Sequence, residues 1–297
     1  GWAVPMATDI AFVVGCMALL GSRIPHGLKI LMLSLAIVDD LAAVLVIAIF
    51  YTDQIHGAWL AAAFGGYALI AILNRSGVRA ISAYVVMGIV VWYCMLESGV
   101  HPTIAGVVLG LLTPVEALLQ QEGYLRLLVR TYEQLGEPSM SAAERRRTLS
   151  DLAFATQEAV PPVVRLESAL HPWVAFVIMP LFALANAGVT INADALAQPV
   201  AMAVALGLFA GKGIGIFLAS FVTIKLGWAV LPRGVSWRSL LGAAFLGGIG
   251  FTMALFIAAL GLKGALLDAA KVGVVLGSFV SACVGMLILS RSPESEA

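Results

Sequence analysis

The sequence predicts an all-α, polytopic helical membrane protein, and three observations lead there. Mean hydropathy is +1.00. Charged residues make up 11% of the chain and hydrophobic ones 61%, whereas soluble domains carry about 25% charge. Apolar runs of roughly 17–25 residues recur along the chain, the length that crosses about 30 Å of hydrocarbon. A transmembrane barrel would instead show segments of about 10 residues with alternating polarity, and the sequence has none.

Hydropathy and helix breakers divide the chain into nine spans, near 1–20, 28–50, 58–74, 80–96, 101–113, 170–190, 199–225, 237–260 and 266–290. Five spans fill 1–113, four fill 170–290, and 291–297 is a short tail. Between the two groups, 114–169 is polar and contains QQEGYLR, EQLGEPSM and ERRR. Within it, Ser141-Ala-Ala-Glu144 has the spacing of a capping box and predicts the start of a short helix. The chain begins without methionine, inside an apolar segment with no charged region ahead of it, unlike a signal peptide. Further sequence is expected upstream.

If the spans alternate in direction, one set of loops holds 14 of the 17 basic residues, Arg145, Arg146 and Arg147 among them. The opposite loops hold Lys263 and Lys271, and Lys212 stays within a span. The positive-inside rule makes the first side cytoplasmic, and the C-terminus with it. Cys16, Cys94 and Cys283 lie in apolar runs without CxxC or Cys/His spacing, so they read as small packing hydrophobes.

Four ionisable residues interrupt the spans: Asp9, Asp39, Asp40 and Lys212. On insertion scales each costs about 2.5–3.5 kcal/mol at a helix centre. Such groups face a bundle interior or a wet cavity and mark ion or proton pathways. A single Asp–Lys staple would account for only one of the three acids. Consecutive helical residues point about 100° apart, so Asp39 and Asp40 cannot face each other across a shared proton. One can face a cavity while the other turns to a neighbouring helix. Carboxylates are hard ligands suited to small cations, and one that holds either a proton or a cation exchanges the two.

Two spans also break helical regularity. Pro5 and then Ala7-Thr8-Asp9 set a breaker and capping residues in the first span, and LGGIGFTM, from Leu246 to Met253, does so with glycine in the eighth. Interrupted helices are tolerated in a membrane only when buried or lining a cavity, and a distant pair of them points to an inverted-repeat transporter. Rival classes fit less well. An intramembrane aspartyl protease needs acids on facing helices, and HExxH and GxSxG motifs are absent. A sodium-coupled solute carrier needs a roomier polar pocket.

The stretches ATDIAF, LAIVDDLAAVLVIAIFYT, SGVHPTIAG, LHPWVAFVIMPLFALANAGV, Gly211-Lys212 and GGIGFTMALFI resemble the NhaA-type bacterial sodium/proton antiporters, in order and over nearly every span. The resemblance implies an inverted-repeat fold with two broken helices crossing at mid-membrane. Family members have twelve spans, so these nine would be the fourth to twelfth. It implies that Asp40 is the principal carboxylate for Na+, Li+ and protons, with Asp39 beside it. Lys212 would pair with Asp39 and take part in proton coupling. Thr8 and Asp9 would form the extended stretch of one broken helix, and Gly248 to Thr252, Gly250 included, that of the other. Asp9 would offset the facing positive helix ends and Lys212 the negative ones. Glu167 and His171 match positions linked to pH response at the cytoplasmic mouth, and His101, near the outer end of its span, is a further candidate for that response.

The function implied is electrogenic, pH-regulated exchange of cytoplasmic Na+ or Li+ for external H+ by alternating access, in the bacterial inner membrane. The alternatives are a sodium-coupled solute carrier and a truncated homologue that does not transport. No enzymatic chemistry and no cofactor beyond the transported ions is expected. The partners expected are membrane lipid and a second copy of the chain, and nucleic acid is not.

Overall fold

The computed structural model describes residues 1–51, 55–78, 80–117, 119, 121–137, 140–186, 188 and 198–292. Arg79, the end of the span expected at 170–190 and most of the 291–297 tail therefore lie outside the described residues or at their edge. Among the described residues the regular structure is entirely helical. The elements are α1 (Ile10–Leu20, preceded by a 3₁₀ turn Val4–Met6), α2 (His26–Phe50), α3 (Gly57–Arg75), α4 (Ile81–Glu97), α5 (Thr103–Leu112), α6 (Gln121–Leu135), α7 (Ala142–Glu158), α8 (Pro162–Asn186), α9 (Pro199–Lys225), α10 (Trp237–Leu246), α11 (Phe251–Gly261) and α12 (Ala265–Ser290). Five of these, α2, α3, α8, α9 and α12, are single helices long and apolar enough to cross a membrane. The α10–α11 pair, bent by 43°, makes a sixth, and Val4–Leu20, α4 and α5 are shorter apolar helices. The nine expected spans thus match nine helical segments in order.

The polar segment differs from expectation. Among its described residues α6 precedes the helix expected from Ser141, and α7 does begin at that capping box, with Ser141 Oγ accepting from Glu144 N and Glu144 reaching back to Ser141 N. The helix after it starts at Pro162, eight residues before 170. Proline at the first helical position is pre-set for a helix and has no N–H to lose there. Hydropathy discounts that turn because Arg165 and Glu167 are polar.

The chain forms two compact units, Gly1–Tyr51 with Pro180–Ala297, and Thr52–Met179. In the second unit Ala63, Tyr67 and Ile70 of α3 pack with Tyr84 and Val91 of α4 and Ala105 of α5. Asn74 Nδ2 donates to Leu112 O at 2.8 Å and so caps the end of the short α5.

In the first unit α12 is the scaffold against which α9 and α10 lie. Its approach to α9 needs small residues: a Cβ on Gly277 would stand 2.9 Å from the Ala205 backbone. Two apolar clusters form on either side of the breaks. One joins Val4 and Ala7 to Leu255 and Ala258 of α11 with Ile47 and Val274. The other joins Val13 and Met17 of α1 to Leu240 and Ala243 of α10 with Leu28 and Leu289. The part before the first break therefore packs with the part after the second, and conversely, which is the antiparallel arrangement of two crossing broken helices. Large apolar side chains such as Phe176 (80% exposed) and Leu184 (75%) point outward, as lipid-facing positions do.

Candidate ion-binding site

The first break is made by Pro5 in its 3₁₀ turn and by extended backbone at Ala7 (φ −76°, ψ 148°) and Asp9 (φ −82°, ψ 96°). Asp9 is the N-cap of α1, its Oδ1 accepting from Phe12 N at 3.2 Å. The second break is Gly247–Gly250, between α10 and α11. It is not an extended stretch: Gly247 and Gly250 keep right-handed dihedrals, and Thr252, expected within it, is the second residue of α11.

Asp9 joins the two breaks. Its N–H donates to Ile249 O at 2.6 Å. Its Oδ2 accepts from Thr252 N at 3.0 Å and from the Thr252 hydroxyl at 2.5 Å. One carboxylate, 1% exposed, thus caps the N-termini of both α1 and α11, where the helix dipoles favour negative charge.

Lys212 lies on the other side of the crossing. Its Nζ donates to Met6 O at 2.6 Å and to Thr8 Oγ1 at 2.6 Å, and forms an ion pair with Asp39 Oδ2 at 3.0 Å. All three ammonium protons have acceptors. The Thr8 hydroxyl is 2.7 Å from Asp39 Oδ2 and 3.1 Å from Gly247 O. It accepts from Lys212, and its single proton suits the shorter contact to Asp39. Of the opposed carbonyl ends, Met6 O therefore accepts from Lys212, while Gly247 O lies 3.1 Å from a Thr8 hydroxyl whose one proton is directed to Asp39. A π stretch, Gly207–Lys212, interrupts α9 and ends at this lysine. Such wide turns recur at functional sites.

Asp40, one residue on from Asp39, points elsewhere. Its Oδ1 is buried and has no hydrogen-bond partner among the described residues. Carboxylate, hydroxyl and carbonyl oxygens make a hard donor set suited to a small cation as cargo. Among the described residues no group of three or more His, Cys, Asp or Glu side chains gathers in the manner of a resident metal centre.

Gly248 and Gly250 belong to the second break. A Cβ on Gly248 would stand 2.6 Å from Ser281 Oγ and closer still to Leu208 O. Glu167 and His171 are exposed on α8, and His101 precedes α5 with its Nδ1 hydrogen-bonded to Thr103 Oγ1. These three belong to the other compact unit. Sequence reasoning missed Ser278 of α12, whose Oγ accepts from Gly250 N at 3.3 Å and Phe251 N at 3.2 Å. Its signal is faint: two serines, Ser278 and Ser281, three apart in an apolar helix.

The model of the family described as Na+/H+ antiporter 1 matches residues 1–289. The chain is 48% identical over 290 residues to the Na(+)/H(+) antiporter NhaA of Rhodopirellula baltica, covering 97% of this chain and 66% of that protein. It is 48% identical over 296 residues to Na(+)/H(+) antiporter NhaA 2 of Sorangium cellulosum, with 97% and 63% covered. Against Na(+)/H(+) antiporter NhaA 2 of Acidiphilium cryptum it is 46% identical over 300 residues, with 100% and 66% covered. The chain spans about two thirds of the length of these relatives. With a family match across nearly all of its residues, this multi-pass membrane chain belongs to the Na+/H+ antiporter 1 family.

Proposed function

We propose that the crossing is the ion site of a secondary transporter that exchanges cytoplasmic Na+ or Li+ for external H+. The observation that carries this reading is the contrast between two adjacent acids. Asp39 is held by Lys212 and Thr8, while Asp40 keeps a buried oxygen without a hydrogen-bond partner among the described residues. An orphaned buried carboxylate oxygen is costly and is relieved by a proton or a cation, but not by both at once. Competition for Asp40 thus couples the two ions. Alternating access then loads a cation from the cytoplasm and releases it on protonation from outside. Because a charge moved through the potential is worth about 2.3 kcal/mol per 100 mV, carrying more protons than sodium ions lets the potential drive sodium out.

The reading extends to a transporter without enzymatic chemistry in the bacterial inner membrane, with a cytoplasmic C-terminus as the basic loops require. Its membrane parts are 1–113 and 170–290, joined by a cytoplasmic 114–169. Glu167, His171 and His101 would tune its pH response, and lipid and a second copy are its partners. The relatives' printed names support the exchanged ions.

The test uses sealed vesicles with an acid interior and a pH-sensitive dye. Sodium added outside at alkaline pH collapses the gradient with the native chain and leaves it intact with Asp40→Asn. Undiminished exchange by Asp40→Asn would overturn the assignment.

A further inference from the structure

The N-terminus of α11 has no cap of its own, because its N-cap is Gly250. Its first amides are satisfied from outside, by Asp9 at Thr252 and by Ser278 at Gly250 and Phe251. The other end of the break closes on itself: Gly248 N donates to Phe245 O at 2.9 Å and Ile249 N to Leu246 O at 3.0 Å. These are tight i→i+3 bonds of the kind that finish a helix end. A rearrangement that unwinds the last turn of α10 would open them, and an amide freed in a membrane interior finds no bulk water.

Ser281 stands at that point. It is fully buried at 0% exposure, its Oγ has no hydrogen-bond partner among the described residues, and it lies against Gly248. A buried hydroxyl left unpaired is a cost without return in a single static arrangement. We infer that Ser281 is a positioning residue held in reserve: when the last turn of α10 opens during the transport cycle, its Oγ accepts the freed Gly248 N–H. Ser278 holds the amides of the break in the present arrangement and Ser281, one turn further along α12, takes up the one released by opening. Gly248 is required at the meeting point, since a side chain there would fill the space between Leu208 O and Ser281 Oγ.

This inference rests on the exchange reading above. Its test measures sodium-driven proton movement in vesicles at saturating sodium, the sodium concentration for half-maximal rate, and thermal stability in detergent, for native protein, Ser281→Ala and Ser281→Cys. Loss of one hydrogen bond made only in the opened arrangement lowers turnover by roughly tenfold. Half-maximal sodium stays unchanged, and stability is equal or higher because an unpaired hydroxyl has gone. Cysteine, a weak acceptor, falls between. Turnover of Ser281→Ala equal to native overturns the inference, as does a parallel fall in turnover and stability, which would mark a merely structural serine. A native protein that moves no protons in response to sodium overturns the exchange reading, and this inference falls with it.

Discussion

The two breaks meet at the same depth but are built from opposite materials. The first carries its chemistry in side chains: Pro5 stops the ladder, Thr8 and Asp9 bond outward, and Asp9 caps its own helix. The second, Gly247–Gly250, has one side chain, that of Ile249, and offers peptide groups. It borrows its caps from Asp9 and from Ser278. The difference teaches that the crossing is asymmetric in dependence. Loss of a side chain at the first break orphans groups in both, whereas addition of a side chain at the second has nowhere to go.

The comparison breaks most visibly at Asp9. Asp9→Ala leaves Phe12 N, Thr252 N and the Thr252 hydroxyl without an acceptor and is expected to cost on the order of 3–5 kcal/mol. Thermal unfolding in detergent measures it; a melt indistinguishable from native protein would mean the two helix ends do not depend on one carboxylate. At the second break the opposite operation is damaging. Gly248→Ala presses a methyl against Leu208 O and against Phe245 O at 3.1 Å, backbone atoms that cannot swing aside, for an expected loss of about 2–3 kcal/mol. Gly15→Ala on α1, with nothing within 4 Å of the new methyl, is the control and should be neutral or mildly stabilising. Equal melts for the two alanine variants would remove the claim of close approach.

Ser278→Ala sharpens the contrast further. It takes one acceptor from the amides of Gly250 and Phe251 and should cost about 1–2 kcal/mol, the usual worth of a cap. An unchanged melt would show the borrowed cap to be dispensable. The smallest effect belongs to a cap in water. The hydrogen bonds from Ser141 hold the Glu144 carboxyl below its ordinary value of 4.5, so its support for α7 is present above that value and is lost as pH falls through the lower, folded one. Amide exchange at the start of α7 should therefore speed up only in acid beyond pH 4.5, and Glu144→Gln should flatten that dependence. Exchange insensitive to pH after correction for intrinsic rates would remove Glu144 from the cap.

Most of the scaffold was legible because the bilayer imposes length and apolarity on every span. The acids and Lys212 were legible because charge stands out against such a background. The α8 start at Pro162 was not, since a hydropathy window discounts a turn that contains Arg165 and Glu167, whatever Pro162 does for the backbone. Thr252 was expected in extended chain because the family resemblance implies it, yet Asp9, far away in sequence, supplies the cap that lets the helix begin one residue before it. Ser278 was invisible for the same reason: its partners are fixed only by the packing of α12 against the break.

The wide turn at Gly207–Lys212 makes the aim of the lysine a matter of counting. A π turn accommodates one residue more than an α turn over nearly the same length, so the two halves of α9 run out of phase by about 100°. Winding the same residues as regular α turns would change the length of the span by only about 1.5 Å and leave it as apolar as before. It would nevertheless swing the ammonium group roughly a quarter circle away from Asp39. At this position register, not hydrophobicity, decides whether the charge arrives.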